Sequence, residues 1–161
     1  MIEEIWTQIR ANAKQITDNS KQIGGMGNSN GDFAQECFFN ALYYRKTLFG
    51  QKFDKVERVK RKITATGMEV EFDIMLVNGT SVCIVEVKYK ADTDDVKKIF
   101  SRIEKLFREL FPEHADKTLY LALASMSFDT RVEKACLEAG IAMIKQKGDT
   151  IEVYDEHLKA F

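Results

Sequence analysis

The stretch MEVEFDIMLVNGTSVCIVEVKYK, residues 68–90, decides the fold. Residues 68–77 and 81–89 are rich in apolar side chains, many of them β-branched, with charged side chains between them, as in strands. Asn78 and Gly79 stand between these two runs and are typical of the tight turn of a β-hairpin. The stretch therefore predicts two antiparallel strands joined by a two-residue turn.

This turn also predicts which side chains share a face of the hairpin. The opposing pairs would be Asp73 with Ile84, Glu71 with Glu86 and Glu69 with Lys88. Because side chains alternate between the faces of a strand, one face carries Glu69, Glu71, Asp73, Glu86 and Lys88. The other face is predicted to be core and carries Phe72, Ile74, Leu76, Cys83, Val85, Val87 and Tyr89.

The charged face has the residues of a hydrolytic metal site. Asp73 and Glu86 are predicted diagonal neighbours, and two carboxylates about 5 Å apart repel by roughly 3 kcal/mol at an effective dielectric of 20. A cation would remove this repulsion, and a few carboxylate oxygens suit Mg²⁺ or Mn²⁺. Lys88 lies about 6.6 Å along the strand from Glu86, where it can reach a metal-bound water or a phosphoryl oxygen.

The alternative interpretation of this face is a solvated strand surface with exposed ion pairs, each worth about 0 to 1 kcal/mol. It accounts well for Glu69 and Glu71. Glu86, however, stands within the apolar run 82–87, which is predicted to lie inside the sheet. Because an unpartnered acid is costly in such a place, its position favours a functional role.

Asp73, followed after twelve residues by Glu86, Val87 and Lys88, resembles the signature of the PD-(D/E)XK, or restriction-endonuclease-like, nuclease superfamily. The resemblance spans roughly residues 31–154 and implies cleavage of DNA or RNA with a divalent metal. It also implies that Asp73 and Glu86 bind the metal and that Lys88 is catalytic. Glu36 matches a glutamate that a preceding helix often contributes to the metal site in that family, and the alternative is an ordinary surface glutamate. Phe72 stands where the family has its name-giving proline.

The other predicted elements surround this hairpin. A strand is predicted at 53–63, a helix at 92–111 that ends before Pro112, and a buried strand at 119–124. A helix from Asp129 to Gly140, a strand from Ile141 and a final hairpin at 147–149 come next in the chain. This order favours an α/β fold with a mixed central β-sheet flanked by helices.

The N-terminal part is predicted to be a separate amphipathic helix, residues 1–24. Ile2, Ile9, Ile16 and Ile23 recur every seven residues and form one stripe. The stripe either covers the core of the same chain or forms a coiled coil, which would make the chain a homodimer. Residues 25–31 are glycine-rich and predict a linker. Asp32 and Gln35 form a predicted capping box that opens the nuclease-like domain, residues 32–161.

Composition limits the remaining possibilities. The 161 residues suit one domain, and a net charge of −1 argues against a broadly basic coat for nucleic acid. There is no run of about 18 apolar residues and no signal peptide, so we expect no membrane association and a cytoplasmic location. Cys37, Cys83 and Cys136 lack the spacing of a zinc or redox site and are predicted to be small buried residues.

Three functions remain open at this point. The first is a metal-dependent nuclease whose partner is DNA or RNA. The second is a catalytically inactive relative that binds nucleic acid or a protein partner. A nucleotide-binding domain is weaker, because the chain lacks a glycine-rich turn between its first strand and helix. A local basic rim could grip phosphates, or be ordinary solvated surface: Arg58, Lys60, Arg61, Lys62, Lys90, Lys97, Lys98 and Arg102.

Overall fold

The structure is a computed structural model that describes residues 2–23, 29–59, 62–63, 66–67, 69–70 and 72–161. For residues 15–23, 62–63, 69–70 and 100 it describes the backbone only. The helices are α1 (Ile2–Ile23), α2 (Ser29–Arg45), α3 (Thr93–Lys98), α4 (Glu104–Leu110) and α5 (Thr130–Ala139), with a π-helical turn at Ile99–Ile103 and a 3-10 turn at Pro112–His114. The strands are β1 (Thr47–Leu48), β2 (Gln51–Lys52), β3 (Lys55–Arg58), β4 (Lys62–Ile63), β5 (Glu69–Val70), β6 (Ile74–Val77), β7 (Ser81–Lys90), β8 (Thr118–Ser127), β9 (Ala142–Lys147) and β10 (Thr150–Tyr154).

Six strands form the central sheet, in the order β10, β9, β8, β7, β6, β3. β7 pairs in parallel with β8, and β8 with β9, whereas the outer pairs are antiparallel. Helices cover both faces, which confirms the predicted α/β class with a mixed sheet. β7 lies inside the sheet: β8 pairs along most of its length, whereas β6 pairs only with Val82–Val85.

Each face of the sheet carries its own core. Under α2 lie Ile74, Leu76, Cys83, Val85 and Val87, which were predicted as core. The face that carries Glu86 is also buried, because α3, α4 and α5 cover Met75, Val77, Val82 and Ile84. Tyr89 was predicted in the first core and is instead exposed. Cys37, Cys83 and Cys136 are free and buried, as predicted.

The turn between β6 and β7 is wider than predicted. Val77 pairs with Val82 and Ile74 with Val85, so the turn has four residues rather than two. The predicted pairing of Asp73 with Ile84 is therefore wrong by two positions. The cause is Asn78, whose Oδ1 accepts hydrogen bonds from the backbone N–H groups of Thr80 (2.9 Å) and Ser81 (2.7 Å). A shift of two preserves the alternation of faces, so the predicted face of Glu86 and Lys88 is unchanged.

The predicted strand 68–77 is broken into two pieces. β5 pairs with β4 in a separate small sheet, where Glu69 lies opposite Ile63 and not Lys88, while Glu71 lies outside the described residues. Phe72 comes after the break and packs against Phe111, with 5.7 Å between ring centroids, in the core under α3, α4 and α5. Its predicted face is wrong because alternation does not continue across an interrupted strand.

The N-terminal helix was predicted correctly, but the start of the next helix was not. α1 spans Ile2–Ile23 and packs against α2, and Arg10 donates a hydrogen bond to the carbonyl oxygen of Gly148. α2 begins at Ser29, so Asp32 and Gln35 lie within it and are not a capping box. Of the predicted linker 25–31, residues 25–28 lie outside the described residues, and residues 29–31 belong to α2 instead. The domain division and the homodimer through α1 stay predictions. None of the described helices is long and apolar enough to span a bilayer.

The hydrogen bonds of Asn78 in this turn predict how its substitution changes the stability of the fold. We expect Asn78→Ala to lower the free energy of unfolding by about 1 to 2 kcal/mol, because two backbone N–H groups lose their acceptor. Asn78→Asp keeps an acceptor oxygen and should lose much less. Urea unfolding of both variants measures the difference. Equal losses in the two variants would instead assign the effect to the hydrogen bond that Asn78 Nδ2 donates to the carbonyl oxygen of Lys52.

Candidate active site

Glu86 is a charged residue on the inner strand β7, just beyond the residues that pair with β6. β7 presents it beside Leu123 of β8, on the face that α3 covers, and only 4% of the residue is exposed. A carboxylate that loses its water must be compensated by nearby charge or by hydrogen bonds. The contacts of its two oxygens therefore define the site.

The two oxygens of Glu86 have different surroundings. Oε1 lies 3.3 Å from Lys98 Nζ, which donates a hydrogen bond, and 3.8 Å from Lys88 Nζ. Oε2 is buried and has no hydrogen-bond partner in the described part of the chain. One oxygen of the carboxylate therefore has two cationic neighbours, and the other is buried without a hydrogen-bond partner among the described residues.

The surroundings also shift the acidity of Glu86. Burial, and after it the negative charge of Asp73, raises its pKa from 4.5 to about 7, although Lys98 and Lys88 act in the opposite direction. The two lysines therefore do not fully compensate the buried charge. Additional positive charge near Oε2 would favour the ionised form.

Lys88 is positioned by helix α3. Its Nζ lies 3.4 Å from Asp95 Oδ1, while Asp95 Oδ2 accepts a hydrogen bond from the backbone N–H of Asp92. Asp92 in turn caps the helix by accepting from the N–H of Asp95, so the two residues form a capping box. Burial disfavours the charged form of Lys88, yet Asp95 and Glu86 outweigh burial and raise the pKa of the ammonium group.

Asp73 lies just before β6 and is held from two sides. Gln35 of α2 donates from Nε2 to Oδ1 (2.9 Å), and the backbone N–H of Val87 donates to Oδ2 (2.7 Å). The pairing of β6 with β7 begins at Ile74, opposite Val85, so Asp73 lies just beyond the paired residues and the predicted diagonal pairing with Glu86 does not apply. After burial, the negative charge of Asp73 is the second cause that raises the pKa of Glu86. The structure thus brings Asp73, Glu86 and Lys88 together.

Glu36 does not join these residues. It is exposed and lines an apolar groove of about 850 Å³ together with residues of α1 such as Trp6 and Ile9. Gln35, one position earlier and about 100° around the helix, is the α2 residue that reaches Asp73. The described contacts therefore do not place Glu36 at Asp73, and its catalytic role stays a prediction.

Sequence reasoning missed three residues of the cluster: Gln35, Asp95 and Lys98. Gln35 was assigned to a helix cap and Lys98 to a surface rim, because their true partners are more than ten residues away in sequence. The acidic residues at positions 92 and 95 signal a helix start. They do not show that Asp95 also reaches Lys88, which lies on a strand.

The predicted basic rim is only partly described. The side chains of Lys60, Arg61 and Lys62 lie outside the described part. Arg58 stacks on Phe39, with its guanidinium carbon 4.4 Å from the ring centroid. Lys98 is an internal partner of Glu86 rather than a rim residue. Arg58 is exposed, and so are three further members of the rim on β7, α3 and the π-helical turn: Lys90, Lys97 and Arg102.

The donor set fits a small hard cation in part. Within the described residues there is no cluster of three or more His, Cys, Asp or Glu side chains that could hold a metal. The two carboxylates of Asp73 and Glu86 are nevertheless of the kind that binds Mg²⁺, which retains several waters and needs few protein ligands. The buried, unpartnered Oε2 of Glu86 is the atom that such an ion would satisfy.

Comparisons with known proteins give weak similarities. No family model and no curated protein matches the chain. An XisH family protein from Nostoc punctiforme is 14% identical, with a TM-score of 0.45 over 74% of this chain and 95% of its own. The small subunit of the heterodimeric restriction endonuclease R.BspD6I is 13% identical, with a TM-score of 0.35 over 73% of this chain and 72% of its own. Neither similarity assigns the chain to a family.

The acidity of Glu86 predicts a pH-dependent effect of Glu86→Gln. The folded-state pKa of about 7 exceeds the ordinary value of 4.5, so the ionised carboxylate destabilises the fold increasingly between these two values and fully above 7. In metal-free buffer, we expect the variant to be more stable than the wild type above pH 7, by on the order of 3 kcal/mol, with little difference below pH 4.5. Urea unfolding at both pH values measures this, and a pH-independent difference would contradict it.

The contact between Lys88 and Asp95 predicts that a substitution of Asp95 changes the pKa of Lys88. Asp95→Asn removes a negative charge next to Nζ, so we expect the pKa of Lys88 to fall towards or below its ordinary value of 10.5. NMR titration of the Lys88 side chain measures the shift. The matched control is Asp94→Asn, an exposed carboxylate on the same helix, which should leave Lys88 unchanged. An unchanged pKa in Asp95→Asn would mean that Glu86 alone holds the ammonium group.

Proposed function

We propose that the chain is a metal-dependent nuclease that hydrolyses phosphodiester bonds of DNA or RNA. In this proposal Asp73 and Glu86 hold Mg²⁺ or Mn²⁺, and Lys88 assists the attacking water. One observation carries it: the buried carboxylate of Glu86 has an open oxygen, with Asp73 close enough to shift its pKa and Lys88 Nζ 3.8 Å from its other oxygen.

The residues of the chain have separate tasks in this mechanism. Gln35 and the N–H of Val87 orient the Asp73 carboxylate towards a fixed position. Asp95 keeps Lys88 charged and pointed at the same place, where its ammonium group would orient the water or bind a phosphoryl oxygen. A bound Mg²⁺ or Mn²⁺ would supply Lewis acidity, which activates water and offsets charge on the phosphate.

The sequence resemblance supports the same proposal. Asp73, Glu86 and Lys88 occur with the spacing of the PD-(D/E)XK superfamily, and they lie at one end of a mixed α/β sheet. The exposed basic side chains of Lys90, Lys97 and Arg102 would contact the phosphate backbone of the substrate. With a net charge of −1 on the whole chain, binding would depend on such a local patch.

A second candidate is a catalytically inactive relative that binds nucleic acid or a protein partner. The observation that favours it is that both lysines already contact carboxylates: Lys98 contacts Glu86, and Lys88 contacts Asp95 and Glu86. Such a network compensates part of the Glu86 charge without a metal. The two candidates differ in whether the site binds a divalent ion and cleaves.

Cleavage assays with DNA and RNA in Mg²⁺ or Mn²⁺ test the proposal. We expect Lys88→Ala to reduce the cleavage rate by roughly a hundredfold or more, because positioned charge at the reacting group is lost. Asp73→Asn should weaken Mn²⁺ binding as well as cleavage. The matched control is Lys134→Ala, an exposed lysine on α5, which should keep the wild-type rate. Binding of an oligonucleotide with no cleavage and no Mn²⁺ binding would favour the second candidate.

A further inference from the structure

Lys98 stands where a cation at Glu86 is needed. Its Nζ donates to Glu86 Oε1 at 3.3 Å, and the residue it contacts is only 4% exposed. Lys88 is also near, but at 3.8 Å from Oε1, and Asp95 holds it at 3.4 Å. Lys98 is therefore the closer counter-ion of Glu86 in the described structure.

Lys98 also has a path to solvent. One third of its side chain, 33%, is exposed, so its flexible stem leads the ammonium group between the buried carboxylate and solvent. Lys88 is exposed to the same extent, 34%, but it also contacts Asp95, which the capping box of α3 fixes. A wider π-helical turn, Ile99–Ile103, begins directly after Lys98. Such turns change which side chains of a helix share a face.

A divalent ion at either oxygen of Glu86 would stand close to this ammonium group. The two positive charges would repel, and the buried surroundings would screen them little. A mobile ammonium group avoids the repulsion by withdrawing into solvent. The exchange would keep Glu86 compensated both with and without the metal.

We propose that Lys98 is a displaceable internal counter-ion of Glu86, which occupies the site in the metal-free chain and is released when a divalent cation binds between Asp73 and Glu86. The inference rests on the proposed function, since it assumes that this cation binds. It adds that Lys98 lowers the affinity of the site at Asp73 and Glu86 for the metal, because its ammonium group competes with the metal ion for Glu86. Lys98 is thus a positioning residue for Glu86 and not a catalytic one.

Mn²⁺ binding to the whole chain without nucleic acid tests the inference. Isothermal titration calorimetry or electron paramagnetic resonance measures the dissociation constant for the wild type and for Lys98→Met. We expect the variant to bind Mn²⁺ roughly tenfold more tightly, because a competing charge has been removed. Lys98→Arg keeps the charge and should bind like the wild type. Lys105→Met, an exposed lysine further along on α4, is the matched control and should also bind like the wild type.

Thermal unfolding gives a second readout. Without metal, Lys98→Met should unfold at a lower temperature than the wild type, and saturating Mn²⁺ should stabilise it more than it stabilises the wild type. In the Glu86→Gln background, Lys98→Met should change neither the unfolding temperature without metal nor the stabilisation by Mn²⁺. The carboxylate that Lys98 compensates is absent from this background.

The outcomes separate the two proposals. If the wild type binds Mn²⁺ and Lys98→Met binds no more tightly than Lys105→Met, the counter-ion inference is wrong and the proposed metal site stands. If neither the wild type nor Lys98→Met binds Mn²⁺, the metal-dependent function is wrong and the inference falls with it. Binding that appears only in Lys98→Met supports the inference strongly.

Discussion

The burial of one carboxylate is the constraint on which the site depends. Glu86 lies on β7, an inner strand that is covered on both faces, so water cannot stabilise its charge. The chain compensates with two lysines and leaves Oε2 without a partner among the described residues. An apolar residue at this place would pack without any of these arrangements. The buried charge of Glu86 is therefore the feature through which the packing of the sheet determines the chemistry of the site.

Helix α3 is the element that makes this compensation possible. Its first turn supplies Asp95, which is at once part of the capping box and the partner of Lys88. Its last residue, Lys98, reaches Glu86. The same helix buries Val96 in the core under α3, α4 and α5, so the two polar contacts are anchored by apolar packing. Capping, packing and the charge of the site are consequently not independent of one another.

Helix α2 has the corresponding task on the other face. Gln35 holds Asp73, and the buried side chains of Phe38 and Leu42 fix the helix against the sheet. Asp73 therefore receives support from α2 and from the backbone of β7, whereas Glu86 and Lys88 receive theirs from α3. The candidate site forms where elements from both layers meet at the end of β6.

The sequence by itself determined the features that depend on local periodicity. Alternation along residues 81–90 put Glu86 and Lys88 on one face, and this survived an error in the turn because a shift of two positions leaves alternation unchanged. The apolar spacing of 92–111 likewise predicted its helix. Only the tertiary structure decided that Gln35 rather than Glu36 reaches Asp73, that Phe72 lies in the other core and that Lys98 compensates Glu86. These contacts join distant parts of the chain, and no periodicity within one segment specifies how two segments pack.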